Sequence, residues 1–333
     1  MNHDRARGAL YGLAVGDALG TTLEFQSLPA RPFQPPVTGP HVDITGGGPF
    51  RVVRGQVTDD TQMATCLATS LAELGRYDAA DVARRYVAWS QHAFDIGGQT
   101  SSSLGAVASG VTPDRSGHEV WVRSGRRSAG NGALMRCAPI GVALARRGLR
   151  RQAALDDAAI THAAPLCLLA NAAFCEAIGQ AVHHDAHPVG MVATARVALN
   201  DAAEHLRAAH PDELRHIDHA LDDLHEDLAL AAADDPDLYG AVHLLHHQGY
   251  VRVAFRLAFW HLLHTPDPNT ALIDVVNRGG DADTNGAITG ALLGAARGAS
   301  SLSPGWIEAT LRAQPAAPWD GDYHPMRFER LLS

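Results

Sequence analysis

Two short stretches hold most of what could do chemistry in this chain of 333 residues. Thr58-Asp59-Asp60-Thr61 sets two carboxylates side by side between hydroxyls, and Gly279-Gly280-Asp281-Ala282-Asp283-Thr284 repeats the pattern near the other end. Each opens a helical pattern. One acid at a helix start would be enough to satisfy free amides and favour the dipole. Two adjacent carboxylates repel each other unless a cation or strong donors neutralise them. Carboxylate and hydroxyl oxygens without cysteine suit hard cations, Mg²⁺ or Mn²⁺, better than zinc. Two such clusters from opposite ends of a chain could converge on one site.

The elements that must position them read as helices. Ile217, Leu221, Leu224 and Leu228 form one apolar stripe in an acidic stretch. Similar patterns run through 64–74, 82–92, 153–160, 165–182, 192–206 and 251–263, and strand-like alternation is scarce. Aromatics are 6% of the residues, which suits packed helices better than sheets. The fold expected is all-α, a single compact many-helix domain over 1–333. Two loops stand out: 29–55, centred on Gly46-Gly47-Gly48-Pro49 and a candidate lid, and 110–130, polar and basic. Glycine recurs every four residues at Gly8, Gly12, Gly16 and Gly20, and again at Gly286, Gly290, Gly294 and Gly298. Each interior glycine costs a helix up to about 1 kcal/mol against alanine, so close backbone packing should offset it. Both segments are expected to be central helices packed tightly against neighbours, each other among the candidates.

The formal charge is −9 with no basic cluster, so no nucleic-acid groove is expected. Cys66, Cys137, Cys167 and Cys175 lack CxxC spacing and read as reduced core residues of a cytoplasmic protein, with no signal peptide at the start. The most apolar stretch, 160–179, contains His162, Asn171 and Glu176 and reads as a buried helix, not a membrane span. His183-His184 and His246-His247 read as exposed helix residues without a second cluster to make a metal site.

Gly16-Asp17-Ala18-Leu19-Gly20, the aspartate motifs at Thr58 and Gly279, Gly130-Asn131-Gly132-Ala133-Leu134-Met135-Arg136, Thr161-His162 and Gly249-Tyr250 jointly resemble the ADP-ribosylglycohydrolase family, in the same order from end to end. The resemblance implies an all-α fold with a binuclear Mg²⁺ or Mn²⁺ centre. Its ligands would be Thr58, Asp59, Asp60, Asp281, Asp283 and Thr284. Glu24 matches a glutamate that activates water or is linked to the metals. Asp95, in Phe94-Asp95-Ile96-Gly97, matches a carboxylate near an arginine leaving group, which a guanidinium can pair with bidentately. Gly98 stands where the family usually has an amide. Asn131 and Gly132 would hold the distal ribose and pyrophosphate, with Ser102 and Ser103 assisting at a helix head. His162 would touch ribose or phosphate, and Tyr250 would stack on adenine or a ribose.

The activity so implied is hydrolysis of the glycosidic bond between ADP-ribose and a modified protein, with arginine linkage favoured and ADP-ribose as product. Glu24, Asp95, Asp60 and Asp283 carry the chemistry in this reading. Serine-linked or small-molecule ADP-ribose substrates, a binding protein without turnover, and a phosphohydrolase cutting the pyrophosphate are the alternatives. A monomer without nucleic-acid or membrane partners is the default.

Overall fold

The two glycine-spaced segments become the helices around which the rest is built. The computed structural model describes residues 1–314, 317 and 321–333. These hold α1 (His3–Gly20), α2 (Asp59–Leu74), α3 (Ala79–Ser90), α4 (Gly98–Ala108), α5 (Pro113–Arg123), α6 (Ala138–Ala143), α7 (Arg147–Thr161) and α8 (Pro165–His184). The second half supplies α9 (Pro188–Ala209), α10 (Leu214–Leu230), α11 (Val251–His264), α12 (Pro268–Val276), α13 (Ala282–Arg297), α14 (Pro304–Leu311) and α15 (Glu329–Leu332). The architecture is all-helical, and the described strands are only β1 (Gln26–Ser27) and β2 (Gly279–Gly280), paired antiparallel.

Helices α1 and α13 lie against each other, antiparallel, through their glycines. A methyl group added at Gly12 would fall on the Gly290 carbonyl, one at Gly16 on that of Gly286, and one at Gly8 on that of Gly294. The reverse holds from the α13 side, so the two backbones touch where any side chain would stand between them. This contact brings the end of α1, which carries Asp17, beside the start of α13, which carries Asp283. Nearly every residue of both helices is buried.

Helix α8 is apolar all round, and 94% of its most apolar window is buried inside the protein although its length and hydropathy would let it cross a membrane. It begins only at Pro165, because α7 ends at Thr161 and His162–164 bridge the two. The expected buried helix therefore starts five residues later than the apolar stretch 160–179 and runs on to His184. The expected loop 110–130 also contains a helix, α5. Pro113 starts it, and Ser116, Gly117 and Trp121 form a buried face that its polar composition hid. The four cysteines are free and buried.

The loop 29–55 is irregular as expected, but it is held along its length. Asp274 accepts from the Val37 amide at 2.5 Å, Asn277 donates to the His41 carbonyl at 2.6 Å, and Arg278 donates to the carbonyls of Arg31 and Pro32. Phe33 and Ile44 are buried beneath it. These anchors do not suit a lid. His246 and His247 are exposed as expected, in a turn and not on a helix.

Candidate active site

The site lies where the ends of α1, α2 and α13 meet. Asp17 projects from the last turn of α1 onto the first turn of α2. Its two carboxylate oxygens accept from the Thr58 amide (3.0 Å to each) and the Thr58 hydroxyl (2.9 Å), and from the Thr61 amide (3.1 Å) and hydroxyl (2.6 Å). Asp17 thus acts as an N-cap supplied by another helix, since Thr58 makes no side-chain cap of its own. With its lone pairs so engaged, Asp17 fixes the Thr58–Thr61 turn. It was quoted in the sequence only as part of a motif, and local spacing gave no sign of this bond set.

The short β ladder aligns the other acids. Gln26 pairs with Gly280 and Ser27 with Gly279, and the Phe25 amide donates to the Gly280 carbonyl at 2.7 Å. Gly279 and Gly280 take φ of 75° and 71°, a region open to glycine at little cost. The ladder binds the Glu24 segment to the turn that leads into Asp281 and Asp283. Arg278, just before it, is clamped bidentately to Asp274 (2.7 and 2.9 Å) and stacks on Phe33 at 3.8 Å.

The outcome is two overlapping acidic groups. Asp17, Asp60 and Asp283 have carboxylate oxygens within 4.8 Å of one another, as do Glu24, Asp95 and Asp283. Asp283 belongs to both. The two motifs from opposite ends of the chain therefore converge. Thr58 donates to Asp60 at 3.1 Å, and the Thr284 hydroxyl lies 3.5 Å from the same oxygen. Asp60 Oδ1 and Glu24 Oε2 are buried with no hydrogen-bond partner. No lysine or arginine lines the cavity among the described residues. Buried carboxylates without cationic side chains, with unpartnered oxygens and an all-oxygen donor set, fit a hard divalent cation. A buried acidic cluster able to hold a metal is thus built into the fold.

A cavity of about 280 Å³ opens above this floor. Glu24, Phe25, Asp59, Asp95, Asn131, Gly132, His162, Asp281, Asp283 and Thr284 line it, while Thr58 and Asp60 lie beneath. Asn131 donates to Asp281 at 2.7 Å, and its amide donates to the Gly249 carbonyl at 2.9 Å. Asn131 therefore positions an acid as well as facing the cavity. Gly132 packs against His162: a methyl there would come within 2.8 Å of the ring. Arg136, paired with Asp157 at 3.0 Å, donates to the Gly132 carbonyl at 2.9 Å and to the Thr161 hydroxyl at 2.8 Å. That hydroxyl is 2.8 Å from His162 Nδ1. Arg136 thus holds Thr161, and through it the imidazole of His162, in place beside Gly132. Burial and the nearby Arg136 guanidinium push the His162 pKa down to about 3, so the ring is neutral.

Other expected residues sit elsewhere. Ser103 is buried with its hydroxyl on the Thr161 carbonyl at 3.0 Å, and Ser102 is exposed. Neither lines the cavity, since both follow the opening turn of α4, where Gly98, Gln99 and Thr100 face it instead. Tyr250 is half-buried as the residue preceding α11 and leaves the lining to Gln248 and Gly249. Gln99 supplies an amide one position after Gly98. A register shift of one residue is invisible to motif matching.

Burial and mutual repulsion raise the acids' pKa values. Asp17 is pushed up to about 6 by burial, against its four threonine hydrogen bonds. Asp95 rises to about 7 through burial and the charges of Asp17 and Asp281. Glu24 rises to about 8 through burial and the charges of Asp95 and Asp281. Asp59, Asp60 and Asp283 are raised well above the usual range by the same causes. A carboxyl whose pKa is raised by folding favours the fold fully below the ordinary carboxylate range. That contribution fades as the pH rises through the folded value. In chelator, the melting temperature is expected to fall as the pH climbs from the ordinary carboxylate range, about 4, through about 8, the highest of these values. Saturating Mg²⁺ or Mn²⁺ should remove most of the fall, since cation binding displaces the protons. Thermal melts with the same pH slope with and without the cation would contradict a metal site here.

The all-helical fold and the buried carboxylates at the meeting of three helix ends agree with what the sequence resemblance implies. The ADP-ribosylglycohydrolase family model matches residues 1–323, and the chain belongs to that family. It is 32% identical over 309 residues to the ADP-ribosyl-dinitrogen reductase glycohydrolase of Rhodospirillum rubrum, covering 92% of this chain and 90% of that one. It is 30% identical over 331 residues to the ADP-ribosylarginine hydrolase Tri1 of Serratia proteamaculans (strain 568), covering 93% and 76%. A solved structure described as an ADP-ribosylglycohydrolase-related protein complex superposes with a TM-score of 0.67 at 29% identity, over 99% of both chains.

Proposed function

We propose that this family hydrolase removes ADP-ribose from arginine side chains of modified proteins. The observation that carries the reading is the pair of acidic groups sharing Asp283 on the floor of the cavity. Asp60 and Asp283 stand in the proposed ligand set, while Asp17, engaged by Thr58 and Thr61, and Glu24 and Asp95, which line the cavity, add negative charge around it. Thr58, Asp59, Asp60, Asp281, Asp283 and Thr284 would hold two Mg²⁺ or Mn²⁺ ions. Such ions would supply charge neutralisation, a seat for ribose hydroxyls and a lowered pKa for water.

The chain's own residues divide the remaining work. Glu24, buried at the edge of the cavity with one carboxylate oxygen unpartnered, takes a proton from the attacking water. Water adds to the anomeric carbon as the carbon–nitrogen bond breaks. Asp95 pairs with the guanidinium and orients it; the arginine leaves as neutral guanidine and takes up the proton that Glu24 removed from water. His162 offers its neutral ring, and Gly132 and Gly249 their backbone, to the nucleotide. The arginine linkage is supported by the carboxylate of Asp95 in the lining and by the two relatives, one named for ADP-ribosylarginine and one for ADP-ribosylated dinitrogen reductase.

Replacement of Asp95 by alanine tests the linkage. Release from arginine-modified protein should drop by about 100-fold or more, through loss of the partner of the leaving group. A wild-type enzyme that prefers serine-linked ADP-ribose, with that activity retained in the variant, would contradict the assignment.

A further inference from the structure

Three aromatic rings from distant parts of the chain meet at the mouth of the cavity. Phe50 lies between Phe25, with ring centres 6.4 Å apart, and Phe94, at 5.7 Å, both in edge-to-face contact. Phe25 is 57% exposed and Phe94 40%. Phe25 has φ +60°, a backbone conformation that bulky residues seldom adopt. The hydrogen bond from its amide to the Gly280 carbonyl holds it there, with Glu24 buried and the Phe25 ring outward. Single exposed aromatics are ordinary, but a cluster built by three segments beside a functional cavity marks an interaction surface.

We propose that Phe25, Phe50 and Phe94 form the docking surface for the polypeptide segment that carries the modified arginine. The proposal rests on the arginine-linked reading above. The rings are continuous with the acidic part of the lining: Phe25 follows Glu24 and Phe94 precedes Asp95. Ring faces and carboxylates both attract cations, and both disfavour a phosphate. The nucleotide therefore belongs with Gly132, His162 and Gly249, and the cationic, arginine-bearing chain belongs on the aromatic rim. Backbone and side chains flanking the modified residue must leave the cavity where the guanidinium does, past Asp95.

The test compares two substrates on the Mg²⁺-loaded full chain: free ADP-ribosylarginine and a protein ADP-ribosylated on arginine. Phe50→Ala and Phe94→Ala, singly and together, leave the cavity lining untouched. The double variant should lose about tenfold in kcat/KM on the modified protein, chiefly through KM, and nothing on free ADP-ribosylarginine. Phe94→Tyr, which keeps the ring, should retain most of the activity on protein. Equal loss on both substrates would place the rings against ADP-ribose itself and overturn the proposal, as would no loss on either. A wild-type chain that releases ADP-ribose from neither substrate would instead refute the arginine reading, and the docking surface with it.

Discussion

Asp60→Ala and Asp283→Ala should each lower kcat/KM by roughly a thousandfold or more while leaving helical circular dichroism unchanged. Both carboxylates are buried, and Asp283 joins the two acidic groups. Asp60 has an oxygen with no partner and stands in the field of Asp17, Asp281 and Asp95. Removing it relieves repulsion that, without a cation, only the Thr58 hydroxyl and protonation offset. The metal-free Asp60→Ala protein should therefore melt at or above the wild-type temperature, and Mg²⁺ or Mn²⁺ should no longer raise it much. Asp17→Ala should behave differently. It strips partners from the buried Thr58 and Thr61 amides, at about 1–3 kcal/mol for each group left unsatisfied. Its melting temperature should drop with and without metal. Equal destabilisation in Asp60→Ala and Asp17→Ala would show that Asp60, too, is a structural carboxylate. Retained turnover in Asp60→Ala would remove the metal site from the mechanism.

The second large effect is on stability. Gly290→Ala should destabilise the fold by about 3 kcal/mol or more in urea unfolding. Its new methyl meets the Gly12 carbonyl, and backbone cannot swing aside as a side chain can. Because α1 carries Asp17 and α13 carries Asp283, any separation of the helices also spreads the acidic groups. Activity should therefore fall further than stability alone explains. Gly105→Ala is the control. Gly105 lies within α4 with nothing near its added methyl, so alanine there should be neutral or stabilising by up to about 1 kcal/mol. Equal effects at the two positions would contradict the close-packed helix pair.

Local sequence made part of this arrangement legible. Glycine every four residues announced backbone-to-backbone packing, although only the structure shows the two stripes facing each other. Doubled aspartates with hydroxyls at two helix starts announced a charge that must be neutralised, and all-helical periodicity announced the fold. What stayed hidden depends on contacts between segments far apart in the chain. Asp17 caps α2 from 41 residues away. Arg136 holds His162 in place through Thr161. Gln99, Thr100 and Gln248 enter the lining because of where α4 and the turn before α11 lie. Ser103, by contrast, is spent on the Thr161 carbonyl, and hydroxyls at a helix head look the same in sequence whether they face a ligand or a neighbouring loop. Helix α5 was masked by its polar composition, since only Ser116, Gly117 and Trp121 are buried.

The central claim is cation-dependent cleavage of the bond between ADP-ribose and arginine. Mass spectrometry of the products from an arginine-ADP-ribosylated protein, with Mg²⁺, with Mn²⁺ and with chelator, tests it most directly. The account predicts intact ADP-ribose and unmodified arginine with either cation, and neither product in chelator. AMP with ribose phosphate left on the protein, or the same release in chelator, would contradict it.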